Sequence, residues 1–334
     1  MEPQTWDMEI RPGIIAGEKI VPIPSVALYV PRGKGSFPSM MMMAGVPAKV
    51  AGVPRIVVAT PPDTSGKADR ATIAAACMIG IEEIYAVGGV QAIAALAYGT
   101  RTIPAVDKII GPGSGYVLAA KRILSAVVDT GPPAGPSESV ILVDDSIDTR
   151  TAVIDLLIEA EHGPDSSAYL VTTDPNVARH ALELIPALVA QLPDERRSFC
   201  ETVLKTSGGV VLASNMDYAV EFINEFAPEH LQILTKDAEN ILERILYAGE
   251  VLLGPYTPGT LANYSIGPNA ILPTSGFART ASALSVRDFT RHMSFSQVNE
   301  QGFLDLAPKT LALADYEDFP AHARALRHRL NKCE

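Results

Sequence analysis

Short apolar runs that stop at proline or glycine alternate with helix-like stretches through most of this 334-residue chain. Arg55–Thr60 reads as a strand, followed by Pro61-Pro62 and a helix over about 65–79. Glu83–Val87 comes next, then Gly88-Gly89 and a helix over about 90–98. Val106–Ile110 follows, closed by Gly111-Pro112-Gly113 and a helix over about 114–127. Strands this poor in charge, separated by helices, form a parallel sheet covered on both faces. The prolines and glycines gather at the carboxyl ends of the strands, where open α/β sheets bind ligands. Gly88-Gly89 and Gly111-Pro112-Gly113 would let a cofactor approach the backbone, or serve as tight turns with no ligand. Neither has the G-x-G-x-x-G spacing of a dinucleotide fingerprint.

Ahead of this set, residues 1–24 look extended. Ser25–Val30 is a strand candidate, Pro31-Arg32-Gly33-Lys34-Gly35 a loop, and 39–51 a helix despite Pro47. A second set begins near Gly135-Pro136-Ser137-Glu138. Its strands are Ser139–Val143, Ala168–Thr172, Gly209–Ala213, His230–Leu234 and Glu250–Leu253. Helices fall between them, over about 175–191, 195–206, 216–225 and 237–247. A loop region rich in proline, glycine and asparagine runs from Gly254 to about Gly276, and the tail from about 303 is helical. The expected fold is α/β: two Rossmann-like parallel-sheet units and a helical C-terminal tail. The expected divisions are 1–132, 133–276 and 277–334.

Hydrophobic residues make up 47% and charged residues 19%, as in a globular enzyme-sized protein. A formal net charge of −11 argues against a nucleic-acid partner. Met40-Met41-Met42-Met43 is too short to span a bilayer, and the polar start is unlike a signal peptide. Cys77, Cys200 and Cys333 are scattered, which fits a reduced, cytoplasmic setting.

Two constellations can carry chemistry. Val153–Ile158 reads as a helix that continues into Glu159-Ala160-Glu161-His162 and stops at Gly163-Pro164. Glu159 and His162 stand three apart, so they share a helical face. Such a pair can bind a metal, shuttle a proton, or simply pair with each other. Ala227-Pro228-Glu229-His230 lies between a helix and a strand, with a carboxylate and an imidazole side by side. Glu can activate water and His can take a proton near neutral pH. A solvated acid and base in a loop would look the same.

Eight blocks, in this order, resemble the histidinol dehydrogenase family. They are LYVPRG at 28–33, GGVQAIAALAYGT at 88–100, VDKIIGPG at 106–113, PAGPSE at 133–138, EAEHGPDS at 159–166, APEHL at 227–231, GPN with LPT over 267–274, and AHA at 321–323. The resemblance covers residues from about 25 to the end. It implies NAD-dependent, zinc-assisted oxidation of an alcohol through an aldehyde to a carboxylate. It also implies a homodimer in which one tail completes the partner's site. By the same resemblance, Glu229 would activate water and His230 would be the base for the alcohol proton. Tyr29, Gln91 and Ser114 fall at NAD-contact positions, and Ser137, His230 and Glu317 at substrate contacts. His162 and His322 match metal ligands.

Several positions depart from the family pattern. Glu159 replaces a glutamine, Asn263 an aspartate, Ala270 a substrate-contacting histidine, and Ser114 an asparagine. The family's leading helical segment has no counterpart, so a trimmed version of the fold is expected. The first two changes balance. Glu159, His162, Asn263 and His322 still comprise one carboxylate, one amide and two imidazoles, a set suited to Zn2+ or Mn2+. Ala270 leaves room and removes a polar partner, which points to a small polar or amino alcohol other than histidinol. The competing readings are an ordinary L-histidinol dehydrogenase and a non-catalytic paralogue that binds a small molecule.

Overall fold

A computed structural model describes residues 3–32 and 35–333, with the Cys333 side chain excepted. Gly33 and Lys34 of the expected loop lie outside the described residues. The chain divides into two units, Ile23–Phe289 and a smaller one made from the two ends, Met1–Pro22 with Thr290–Glu334.

The smaller unit opens with β1 (Trp6–Arg11) and β2 (Ile14–Pro22), an antiparallel pair. The larger unit begins at β3 (Ser25–Tyr29), whose five residues are all buried. Then come α1 (Pro38–Val50), β4 (Arg55–Ala59), α2 (Arg70–Ile79), β5 (Glu83–Tyr85), α3 (Gly89–Tyr98), β6 (Lys108–Ile110) and α4 (Gly115–Leu124). The strands form one parallel sheet in the order β5-β4-β3-β6. Helix α2 starts five residues later than the sequence suggests, because Asp69 caps it by accepting from the Thr72 N–H. Gly80, at φ 80°, closes it.

The second sheet uses β7 (Glu138–Val143), α5 (Thr149–Ala160), β8 (Ser167–Thr172), α6 (Pro175–Val189), α7 (Asp194–Thr206), β9 (Gly208–Leu212), α8 (Met216–Phe226), β10 (His230–Leu234), α9 (Ala238–Leu242) and β11 (Glu250–Leu253). All five strands are parallel, in the order β11-β10-β7-β8-β9. Strand β10 is buried throughout, as a central parallel strand must be. Helix α9 is half the expected length. Asn224 Oδ1 takes the N–H groups of Leu246 and Tyr247 and ends the helical path. A short α10 (Gly259–Tyr264) stands where the composition predicts only loop. The two sheets meet through the 267–275 segment. Asn269 donates to the Met43 carbonyl of α1, and the Thr274 hydroxyl accepts from the Gly135 N–H. Ile271, Leu284 and Phe289 are buried with the first sheet's core.

In the smaller unit, β12 (Thr290–Val298) pairs with β2, followed by α11 (Glu300–Tyr316) and α12 (Pro320–Cys333). The sequence alone predicts no strand at β12, since Thr-Arg-His-Met-Ser-Phe-Ser-Gln-Val lacks an apolar run. Along β1, Trp6, Met8 and Ile10 are all exposed. Among the described residues, no helix is long and apolar enough to cross a membrane.

Candidate active site

The candidate catalytic residues stand at the amino ends of the second sheet's strands. Helix α8 ends on Ala227 in the left-handed conformation, φ 52°, and Pro228-Glu229 then turns the chain into β10. His230 is the first residue of β10. Its register partners are Ser139 on β7 and Glu250 on β11. Glu229 and His230 are both 7% exposed. Glu229 Oε2 accepts the Glu138 N–H at 2.9 Å, and Oε1 lies 3.8 Å from His230 Nε2.

Helix α5 ends at Ala160, not at Gly163-Pro164. The His162 N–H folds back onto the Glu159 carbonyl, so His162 sits in the turn beyond the helix. The tight turn still holds the two side chains together. His162 Nδ1 is 2.8 Å from Glu159 Oε2, yet the atoms miss hydrogen-bonding geometry and Nδ1 is left buried and unpartnered. Asn263, on α10, donates to Glu159 Oε1 at 3.5 Å, and His230 Nε2 is 4.0 Å from the same oxygen.

The electrostatics follow from burial. Desolvation would raise Glu159, but His230 and His162 outweigh it and hold the carboxyl at about 2. Burial pushes Glu229 up to about 8, against the pull of His230. His230 would fall on burial, yet Glu159, Glu229 and Glu250 raise it to about 10. Glu138, Glu159, Glu229 and Glu250 bring four carboxyl groups beside two imidazoles here. An orphaned His162 nitrogen beside a charged carboxylate and an amide fits a divalent metal of the zinc type. Among the described residues, no group of three or more His, Cys, Asp or Glu side chains is itself arranged to hold an ion. The larger unit thus brings together three of the four expected ligands. The fourth, His322, is exposed on α12 with its ring 5.0 Å from that of Phe319 at a 44° tilt; Glu317 caps α11. Both belong to the smaller unit.

The expected cofactor contacts fall at the carboxyl edge of the first sheet. Tyr29 ends β3, and its hydroxyl accepts the Gly89 N–H at 3.0 Å, fixing the start of α3. Gln91 is exposed in the first turn of α3, and Ser114 is exposed as the residue before α4. Helix starts of this kind suit a pyrophosphate. Gly111, at φ 122°, passes so close to the Tyr29 carbonyl that no side chain fits. Ser137 lies just before β7 and accepts the Ser167 N–H through its carbonyl.

Sequence reasoning missed Glu250. Its Oε1 is 2.6 Å from His230 Nδ1. A charged residue opening a buried strand was the available signal.

Two parallel sheets with a buried acid–imidazole cluster define an α/β protein with a site built for proton transfer. The fold is shared with succinate-semialdehyde dehydrogenase from Burkholderia pseudomallei, at 15% identity and TM-score 0.57, over 89% of this chain and 74% of that one. That likeness is one of fold alone. The profile of the family described as histidinol dehydrogenase matches residues 1–330, and the chain belongs to this family. A histidinol dehydrogenase from Synechocystis sp. is 53% identical, over 99% of this chain and 76% of its own length. A histidinol dehydrogenase homolog from Colwellia psychrerythraea is 49% identical over 98% and 74%. The crystal structure of histidinol dehydrogenase from Elizabethkingia anophelis has a TM-score of 0.94 at 36% identity, over 99% of this chain and 76% of that one.

Proposed function

We propose that the chain oxidises a small polar or amino alcohol with NAD, through the aldehyde to the carboxylate, assisted by Zn2+ or Mn2+. The observation that carries this reading is the buried Glu229–His230 pair with the Glu159 carboxylate 4.0 Å from His230 Nε2. Bound NAD would supply the two-electron acceptor, and a divalent ion at Glu159, His162 and Asn263 the Lewis acid that orients and polarises the substrate oxygen. His230, in its neutral form, takes the alcohol proton at Nε2. Glu229, in its ionised form, takes a proton from the water that attacks the aldehyde, at Oε1, while Oε2 stays tied to the Glu138 N–H. One alcohol and one water thus give one carboxylate, two NADH and three protons. Tyr29, Gln91 and Ser114 would face NAD. Ser137, with Glu317 and His322 supplied by a partner subunit, would complete the substrate and metal contacts.

The substrate assignment rests on Ala270, a half-buried methyl that offers no hydrogen bond. The ordinary L-histidinol reading draws on the 53% identity to an enzyme named histidinol dehydrogenase. NADH formation over a panel of alcohols and aldehydes, with and without added zinc, separates the two. Efficient turnover of L-histidinol overturns the substrate assignment. No turnover at all, with a small ligand raising the melting temperature, favours a binding protein.

The homodimer draws support from the small antiparallel sheet, where β1 exposes Trp6, Met8 and Ile10 and β12 exposes Met293 and Phe295. Apolar strand faces of this kind are covered in stable proteins. Mixing Glu229→Gln with His322→Ala tests the shared site. Hybrid dimers regain oxidation through to the carboxylate if the tail of one subunit serves the other, and form no carboxylate if each subunit is self-sufficient.

A further inference from the structure

We infer that Glu250 is a positioning residue for His230: its carboxylate holds the imidazole by Nδ1 and turns Nε2 toward Glu229 and Glu159. The inference rests on the reading of His230 as the base.

The geometry comes from register. His230 and Glu250 are partners across the parallel β10–β11 pair, so their side chains leave the sheet on the same face. Both are 8% exposed as side chains, and Nδ1 lies 2.6 Å from Oε1. An ionised carboxylate only accepts, so Nδ1 must carry the proton. That leaves Nε2 as the site of proton exchange, facing Glu229 Oε1 at 3.8 Å and Glu159 Oε1 at 4.0 Å. A general base is effective only when a third group fixes its tautomer and ring plane.

The backbone makes the register rigid. Glu250 donates its N–H to the Glu229 carbonyl at 3.0 Å, and Gly249 donates to the Pro228 carbonyl at 2.9 Å. The start of β11 is therefore stitched to the turn that carries the proposed acid–base pair. Glu250 does not earn its place through stability: Oε2 is buried without a partner, and such burial of a carboxylate is unfavourable. An apolar side chain would suit the strand better. What the carboxylate supplies is orientation of the ring.

The test uses the full-length protein, with activity on whichever alcohol the panel identifies and NMR on 15N-histidine-labelled samples. Glu250→Gln keeps the shape but presents an amide that can donate to Nδ1, favouring the tautomer with the proton on Nε2. We expect kcat to fall by about 100-fold or more while KM stays within about threefold. The His230 signals should shift from an Nδ1-protonated to an Nε2-protonated pattern. Glu250→Asp, which keeps the charge, should recover part of the loss and the parental tautomer; should Glu250→Gln fail to fold, an Nε2-protonated ring in Glu250→Asp overturns the inference. Parental kcat in Glu250→Gln, with His230→Asn inactive, overturns the positioning role and leaves the base intact. Full activity in His230→Asn removes the base reading instead, and the role of Glu250 with it.

Discussion

Asn263 donates its amide to the buried carboxylate of Glu159 across 3.5 Å, from a helix of six residues after β11. The two positions at which the chain departs from its family's expected ligand pattern are therefore in contact. Swapped chemistry at two touching sites leaves the local charge unchanged, so each residue makes sense only beside the other.

This contact predicts non-additive behaviour. Added zinc should raise the melting temperature of the parent by about 4 °C once it exceeds its Kd roughly a hundredfold. Glu159→Gln alone should lose most of that shift, because the set then holds no carboxylate. Glu159→Gln with Asn263→Asp should restore it. Calorimetry and metal analysis of the three proteins give the answer; equal zinc shifts in all of them would remove the metal from this site.

Gly249 predicts a steric effect. A Cβ there would stand 2.5 Å from the Glu229 carbonyl and 3.1 Å from Leu272 Cβ. The first atom is backbone and cannot swing away. Gly249→Ala should destabilise the fold by about 1–3 kcal/mol and lower kcat, because β11 must shift against the Glu229 turn. Denaturant unfolding alongside kinetics checks both effects.

Lys121 predicts a pH dependence. The residue is 3% exposed, and its ammonium donates to the Gly111 carbonyl at 3.0 Å. Burial lowers it from 10.5 to about 8, with Asp129 opposing. Below pH 8 the lysine is charged whether folded or unfolded, and the full burial penalty, about 3 kcal/mol, weighs on the fold. Between pH 8 and 10.5 the folded state binds fewer protons than the unfolded one, so stability rises with pH there. Lys121→Met should therefore be more stable than the parent at pH 7, less the lost hydrogen bond, and the gain should shrink as pH passes from 8 to 10.5. A stability difference constant across that window would contradict the assignment.

Much of this architecture is legible in the sequence. His230–Leu234 and Glu250–Leu253 match the observed strands residue for residue, because continuous apolar runs between turn residues admit little else. What escaped depends on contacts between distant segments. Helix α9 is cut short by Asn224, two elements earlier. Strand β12 is polar and exists because β2 pairs with it. At the site, Glu159, His162, Asn263, Glu229 and His230 were readable from spacing and resemblance. Glu250 was not, since its partner is set by strand register rather than by sequence neighbours.

The most direct test of the account counts NADH formed per alcohol consumed by the parent and by Glu229→Gln. The parent should form two NADH per alcohol. Glu229→Gln should form one and release the aldehyde, because water is no longer activated for the second step. Two NADH from Glu229→Gln at the parental rate would contradict the role given to this carboxylate and, with it, the proposed site.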